Sequence, residues 1–298
     1  MVHEYAVDPI LCTNWRDLRF LVSSFGREEG RLISDVPRRE WKRLSFDWIN
    51  KSNPKPVMKK RLKLFVRKLI QKALYIRNET VNSNSEWLAN AIATHNIWPF
   101  RAILTDTYSG NEPFILCNDL DLTTHDCWCV STSVTVEREV NNMIDAIKPL
   151  LEISRELMLI DRNFRFVDDN SSPIMRYKSV LIEILKKVSG KEYGPQVNKI
   201  TYHVGDKSFS KEELNRQCDL YIRDSLPKGM RLEFIIWPWD KLHDRFVLTE
   251  IGGVDFGQGL DEWTGYGLEE VKISRISNAD HKKWWASCKE KAPTIIIS

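Results

Sequence analysis

The chain has no apolar run approaching the length of a bilayer span. It has no internal repeat and no low-complexity tract. Its opening residues, MVHEYAVDPILCTNWRDL, carry acidic side chains early and no sustained apolar stretch, so no secretory signal is read there. These absences lead to the expectation of a soluble, cytoplasmic protein. Cysteine is sparse: Cys12, Cys117, Cys127, Cys129, Cys218 and Cys288 are scattered through 298 residues, and reduced thiols are expected rather than a disulfide framework. The stretch His125-Asp-Cys127-Trp-Cys129 holds three metal-ligating residue types. It lacks the two-residue spacing and the second ligand pair of a zinc knuckle. Buried or half-buried thiols are the stronger reading and zinc the weaker.

Acidic residues are missing altogether between positions 51 and 77, where ten basic residues fall: Lys51, Lys55, Lys59, Lys60, Arg61, Lys63, Arg67, Lys68, Lys72 and Arg77. The net charge of +3 hides this local excess. Within the run, Leu62, Phe65, Val66, Leu69, Ile70, Ala73 and Leu74 recur at three- and four-residue spacing, which predicts an amphipathic helix over about 57–75. A solvated lysine face is the plain reading of the opposite side. Solvated faces usually mix both signs, however, and an unmixed one suits a nucleic-acid backbone or an anionic membrane. The exposed face has no large apolar residue to enter lipid, so nucleic acid is favoured, with Lys59, Lys60, Lys63 and Arg67 as the contacts.

Hydrophobic residues make up 42% of the chain, enough for substantial cores. A boundary is expected near 130–137, giving a basic, mixed α+β domain over 1–133 and a second domain over 134–298. In the first, helices are expected over 40–50, 57–75 and 85–95, followed by extended pieces in RAILTDTY, PFILCND and CWCVSTSVTV. In the second, helical patterns over 136–157, 171–189, from 210 and over 280–290 alternate with strands over 157–161, 198–204, 231–237, 245–250, 254–256 and 269–276. Ser210 with Glu213 three residues on forms a capping box. Strands separated by helices of this length imply an α/β sandwich with a mostly parallel sheet.

The chemistry is concentrated in LHDRFVLTEIGGVDFGQGLDEW, residues 242–263. His243 and Arg245 stand two apart, so strand alternation turns both to one face. Glu250 follows five residues after Arg245. The glycines of Gly257-Gln258-Gly259-Leu-Asp261 would let backbone amides approach an anion. Trp237 and Trp239 lie just upstream, read mainly as packing residues, with one of them able to stack on a base.

This spacing resembles the His-x-Lys-x4-Asp motif of the phospholipase D superfamily. It is more closely similar to the phospholipase-D-like C-terminal domain of MIT-domain-containing proteins, over about residues 140–277. There Leu159-Ile160-Asp161 resembles the first strand, His243-Asp244-Arg245 the central triplet, and Gly257 to Asp261 the following loop. The resemblance implies a phospholipase-D-like α/β sandwich with no metal and no cofactor. It implies that His243 attacks phosphorus, Arg245 holds the phosphate, and Glu250 takes the place of the motif's aspartate. Gly257, Gln258, Gly259 and Asp261 form the phosphate loop, with Asp161 and Asp244 supporting. Arg245 replaces lysine, Glu250 replaces aspartate, and the loop lacks the usual serine.

Only one such motif occurs, whereas the superfamily's reaction uses two histidines. A homodimer sharing two copies of His243 is therefore expected. The leading expectation is a metal-independent nuclease working through a phosphohistidine, with a bacterial antiviral defence role by analogy of architecture. The alternative is a degenerate binding module that recruits nucleic acid, an anionic membrane or another protein component.

Overall fold

The computed structural model describes residues 1–77, 81, 86–106, 108–117, 125–168, 170, 172–207, 210–263, 265 and 269–298. The chain forms two compact units, residues 2–131 and residues 132–298, with Met1 belonging to the second.

The first unit runs β1 (His3–Val7), a 3-10 turn (Pro9–Thr13), α1 (Trp15–Ser24), β2 (Arg31–Ser34), α2 (Trp41–Lys51), α3 (Pro56–Ala73), β3 (Leu74–Tyr75), α4 (Trp87–Ile97), β4 (Ala102–Thr105) and β5 (Ile115–Cys117). Its sheet has the order β3-β2-β1-β4-β5, and every neighbouring pair is parallel. The expected mixed α+β organisation is thus corrected to a parallel α/β unit. Alternation on β1 shows why the sheet is covered on both sides. Tyr5 and Val7 enter a core with Leu18, Trp41, Leu62, Val66 and Leu69 of α1, α2 and α3. Ala6 enters a separate core with Ala91 of α4 and Phe100. A strand buried on both faces needs helices on both faces, as crossover connections supply.

Helix α3 carries the anticipated stripe, with Leu62, Val66, Leu69 and Ala73 buried. It ends at Ala73, two residues early, because Leu74 and Tyr75 turn extended and pair with β2. The helix expected over 85–95 is observed as α4, starting at Trp87; position 85 lies outside the described residues.

The second unit runs β6 (Ser133–Glu137), α5 (Val140–Glu152), β7 (Leu157–Asp161), α6 (Arg176–Ser189), β8 (Lys199–Gly205), α7 (Lys211–Tyr221), β9 (Arg231–Trp237), β10 (Arg245–Thr249), β11 (Gly253–Phe256), β12 (Glu270–Arg275), α8 (Asn278–Lys289) and β13 (Ile295–Ile297). Val136, expected to open a helix, instead lies in β6. The helix expected from 171 begins at Arg176; position 171 lies outside the described residues. Ser210 caps α7 by accepting from the Glu213 amide.

The sheet order is β13-β9-β8-β7-β10-β11-β12-β6. Only β7-β8-β9 pair in parallel, and all other neighbours are antiparallel. The expectation of a mostly parallel sheet is corrected here to a mixed one. The reason is local: β10 returns into β11 through a tight turn with no helix between them, and such a connection can only join antiparallel strands. On one face Tyr202 and Phe234 stack, and Phe164 links them to Tyr177 of α6. On the other, Met158, Ile160, Ile235, Trp237, Phe246 and Leu248 form a core against Trp284, Trp285 and Cys288 of α8.

Candidate phosphate-binding end of the second unit

Strand direction determines what meets at the end of this sheet. The carboxyl ends of β7, β8 and β9 deliver Asp161 and Arg162, Gly205 to Lys207, and Trp237 to Trp239. Strand β10 is antiparallel to β7 and starts at the same end, with Arg245 directly opposite Asp161. His243 precedes it. Segments from three distant parts of the chain, near 161, 206 and 237–245, therefore converge at one rim.

His243 is exposed, yet both ring nitrogens are engaged. Its Nδ1 lies 2.7 Å from Arg162 Nη1, and its Nε2 lies 2.7 Å from the Asp240 carbonyl oxygen. A guanidinium can only donate and a carbonyl can only accept. The neutral ring therefore fits in one tautomer: Nε2–H donates to Asp240, and the Nδ1 lone pair accepts from Arg162.

The guanidinium carbon of Arg162 also sits 4.7 Å from the ring centroid of Trp239, and the Lys207 ammonium lies 5.0 Å from the same ring. The Trp239 amide donates to Asp206 at 3.0 Å, which ties the β8 and β9 ends together. Gly205 makes this approach possible: a Cβ there would lie 2.8 Å from both the Arg162 carbonyl oxygen and the Trp239 ring. Two guanidinium groups have unused hydrogen-bonding capacity. The Nε atoms of Arg162 and Arg245 are buried without a hydrogen-bond partner among the described residues. Leaving such a donor unmet costs about 1–3 kcal/mol, and an incoming anion would recover it.

Asp161 is fully buried and accepts from the amides of Leu260 at 2.8 Å and Asn163 at 2.9 Å. Burial pushes its carboxyl up to about 6, against the opposing pull of those amides and of Arg245. Burial likewise raises Asp255 on β11, with Asp244 raising it further and Arg245 lowering it. Asp244 is half-buried beside Arg245.

Two groups of sequence-derived residues lie elsewhere or act otherwise. Glu250 is at the far end of β10, about 16 Å along a five-residue strand from the His243 end. It accepts from the amides of Arg155 (2.9 and 3.1 Å) and Glu156 (3.1 Å), holding the chain as it enters β7. It is a backbone cap and not a partner of His243. The loop is also inward-facing. The Gly257 amide donates to Lys272, the Gly259 amide to Phe256 and the Leu260 amide to Asp161. Asp261 is buried and paired with Arg138 and Arg176. Gly257, Gly259 and Asp261 therefore anchor the loop instead of lining an anion site. Gly259, at φ 138°, is there because a Cβ would lie 2.5 Å from Asp261 Oδ1. Gln258 is exposed.

Sequence reasoning reached His243, Arg245, Asp161 and Trp239. It missed Arg162, Lys207 and Asp240. Arg162 carried a usable signal, as the residue immediately after a strand whose end faces the motif.

In the first unit, Lys60 and Arg67 are exposed on α3, and Lys59 and Lys63 are partly so. Val57 and Leu64 are exposed on the same face, which corrects the expectation that it carries no large apolar residue. Lys63 leans over Phe46 and Arg61 over Trp15. Two members of the basic run are consumed: Lys72 pairs with Glu29 at 2.6 Å, and Arg77 is fully buried against Glu4 at 2.8 Å. At His125, Nδ1 accepts from the Cys127 amide at 3.2 Å, and Cys127 Sγ approaches the Pro113 carbonyl at 3.8 Å. Among the described residues no three His, Cys, Asp or Glu side chains converge as metal ligands would.

No family profile and no curated protein matches the chain. Among solved structures it matches TrmBL2, described as an archaeal chromatin protein with a novel mode of DNA binding, at 12% identity and a TM-score of 0.28. The match covers 57% of this chain and 56% of that one.

Proposed function

We propose that the His243 end of the second unit binds a phosphodiester without cleaving it, as a degenerate phospholipase-D-like module. The observation that carries this is the state of the His243 ring. Nucleophilic attack on phosphorus needs a free nitrogen lone pair. Here the one lone pair accepts from Arg162, and the other nitrogen is held by Asp240. Glu250, which would complete the catalytic motif, caps a different loop. What remains is suited to recognition: Arg162, Arg245 and Lys207 supply positive charge, the two buried Nε donors lack partners among the described residues, and Trp239 offers a partly exposed ring.

Nucleic acid is the diester-bearing partner that the basic face of α3 also suits. The test is fluorescence anisotropy with labelled single- and double-stranded DNA and RNA in EDTA, with gel analysis for cleavage. Binding weakened at least tenfold by Arg162→Ala and Arg245→Ala, with all strands intact, is the expected result. Cleavage that survives EDTA and disappears in His243→Ala would replace this reading with phosphohistidine chemistry shared across a homodimer. Charge reversal at Lys59, Lys60, Lys63 and Arg67 should flatten the salt dependence of binding; an unchanged slope would restrict the contact to the second unit.

A further inference from the structure

A second polar cleft lies toward the opposite end of the same sheet, on the α8 face. It encloses about 640 Å³. Its floor comes from adjacent central strands, where Lys199 pairs with Arg231 and Thr201 with Glu233 in register. Its rim comes from Lys289 and Lys291 at and beyond the end of α8, and from Glu156 ahead of β7.

Three observations set this cleft apart from an ordinary surface hollow. The first is charge. Four cations (Lys199, Arg231, Lys289 and Lys291) face two carboxylates (Glu156 and Glu233), which leaves two positive charges in excess. Glu233 is shared by Arg231 at 2.6 Å and Lys199 at 3.8 Å, and Lys289 pairs with Glu156 at 2.7 Å. Lys291 has no carboxylate partner among the described residues; its ammonium lies 4.8 Å from the Trp237 ring. The second is an unmet hydroxyl. Thr201 is only 8% exposed, lines the cleft, and its Oγ1 has no hydrogen-bond partner among the described residues. The third is size: the volume falls in the range of metabolite sites, larger than a bare ion needs. Cys288 forms part of the wall, and burial pushes its thiol up to about 12, which favours the protonated thiol there.

We propose that this cleft binds a phosphate dianion carried on a small metabolite, with Lys291 and Lys199 neutralising the charge and the Thr201 hydroxyl donating to a phosphate oxygen. It is distinct from the diester site at the other end of the strands, and it stands if that reading fails.

Isothermal titration calorimetry of the full chain with inorganic phosphate, ribose 5-phosphate and adenosine 5′-monophosphate tests it, with adenosine as the uncharged comparison. The expected result is saturable binding of at least one phosphate and none of adenosine; the tightest of the three identifies the source of the dianion. Lys291→Gln, at an exposed position, should weaken binding about tenfold, as loss of a charge-assisted contact does. Thr201→Val, which keeps the shape, should weaken it about threefold or more. No saturation with any phosphate, equal binding of adenosine, or an affinity unmoved by Lys291→Gln would overturn the proposal.

Discussion

His203 gives the most exacting test of the second unit's packing. It lies on β8, fully buried, and its Nδ1 accepts from Trp237 Nε1 at 2.9 Å. Its Nε2 has no partner among the described residues. Burial pushes the imidazole down from 6.5 to about 4. In the unfolded chain the ring gains a proton as pH falls below about 6.5, whereas in the folded chain it does so only near 4. The unfolded state therefore binds more protons between those values, and stability present at neutral pH is lost on acidification. A depression of this size is worth about 3 kcal/mol in full, most of which is lost by pH 4.5. Asp161 acts in the opposite sense. Its carboxyl is raised from 3.8 to about 6, so the folded state binds the extra proton and gains stability as pH falls through the same window. The two effects nearly cancel in the native protein. The comparison must therefore be between the native chain and His203→Gln, which keeps an acceptor for Trp237 and leaves Asp161 in place. Urea unfolding at pH 7 and pH 4.5 should show the native chain losing about 2–3 kcal/mol more than the variant. Histidine ring NMR should find one resonance that stays neutral down to about pH 4. Equal losses in both proteins, or no ring titrating below pH 6, would refute the reasoning.

Three further outcomes follow from the geometry. Glu250→Ala removes the acceptor of the Arg155 and Glu156 amides and should cost about 1–2 kcal/mol in urea unfolding while leaving diester binding intact; a selective loss of binding would return Glu250 to the site. Gly205→Ala places a methyl 2.8 Å from the Arg162 carbonyl and the Trp239 ring, so anisotropy should show weakened diester binding at a stability cost of about 1–3 kcal/mol. Arg77→Met leaves Glu4 buried and unpaired, and thermal unfolding should register about 3–5 kcal/mol of destabilisation, largely restored by the double change with Glu4→Gln.

Local pattern made much of the second unit legible. The edges of β7 and β9 are those read from LMLID and RLEFIIW, because each is a short apolar run between polar breaks. Ser210 and Glu213 fixed the start of α7 through chemistry that needs no tertiary context. Pairing direction was not legible in the same way, since β10 reads alike whether it runs with β7 or against it. In the first unit β1 and β2 escaped notice. HEYAV and RLIS are brief and open on polar residues, and their burial comes from helices that follow later in the chain. The motif segment pointed to His243 and Arg245, but spacing cannot tell an amide cap from a site carboxylate. Glu250 fits the pattern and serves the backbone. Arg77 makes the same point: the acid-free run reads as one solvated face, yet its last member reaches Glu4, which lies remote in sequence.

Strand β6 has a consequence for how the second unit is made. It opens that unit in sequence, yet among the described residues its only sheet neighbour is β12, with Glu137 opposite Glu270. Closing a loop of roughly 130 residues carries an entropic cost of about 4 kcal/mol in the length-dependent part alone. During synthesis the first-made edge strand must therefore wait, unpaired, until nearly the whole unit has emerged. Over that interval SVTVE is an exposed β-prone segment open to foreign strands, shielded chiefly by the charge of its terminal glutamate. The unit is clasped late, and a truncation just short of β12 would leave both its edge and its folding unfinished.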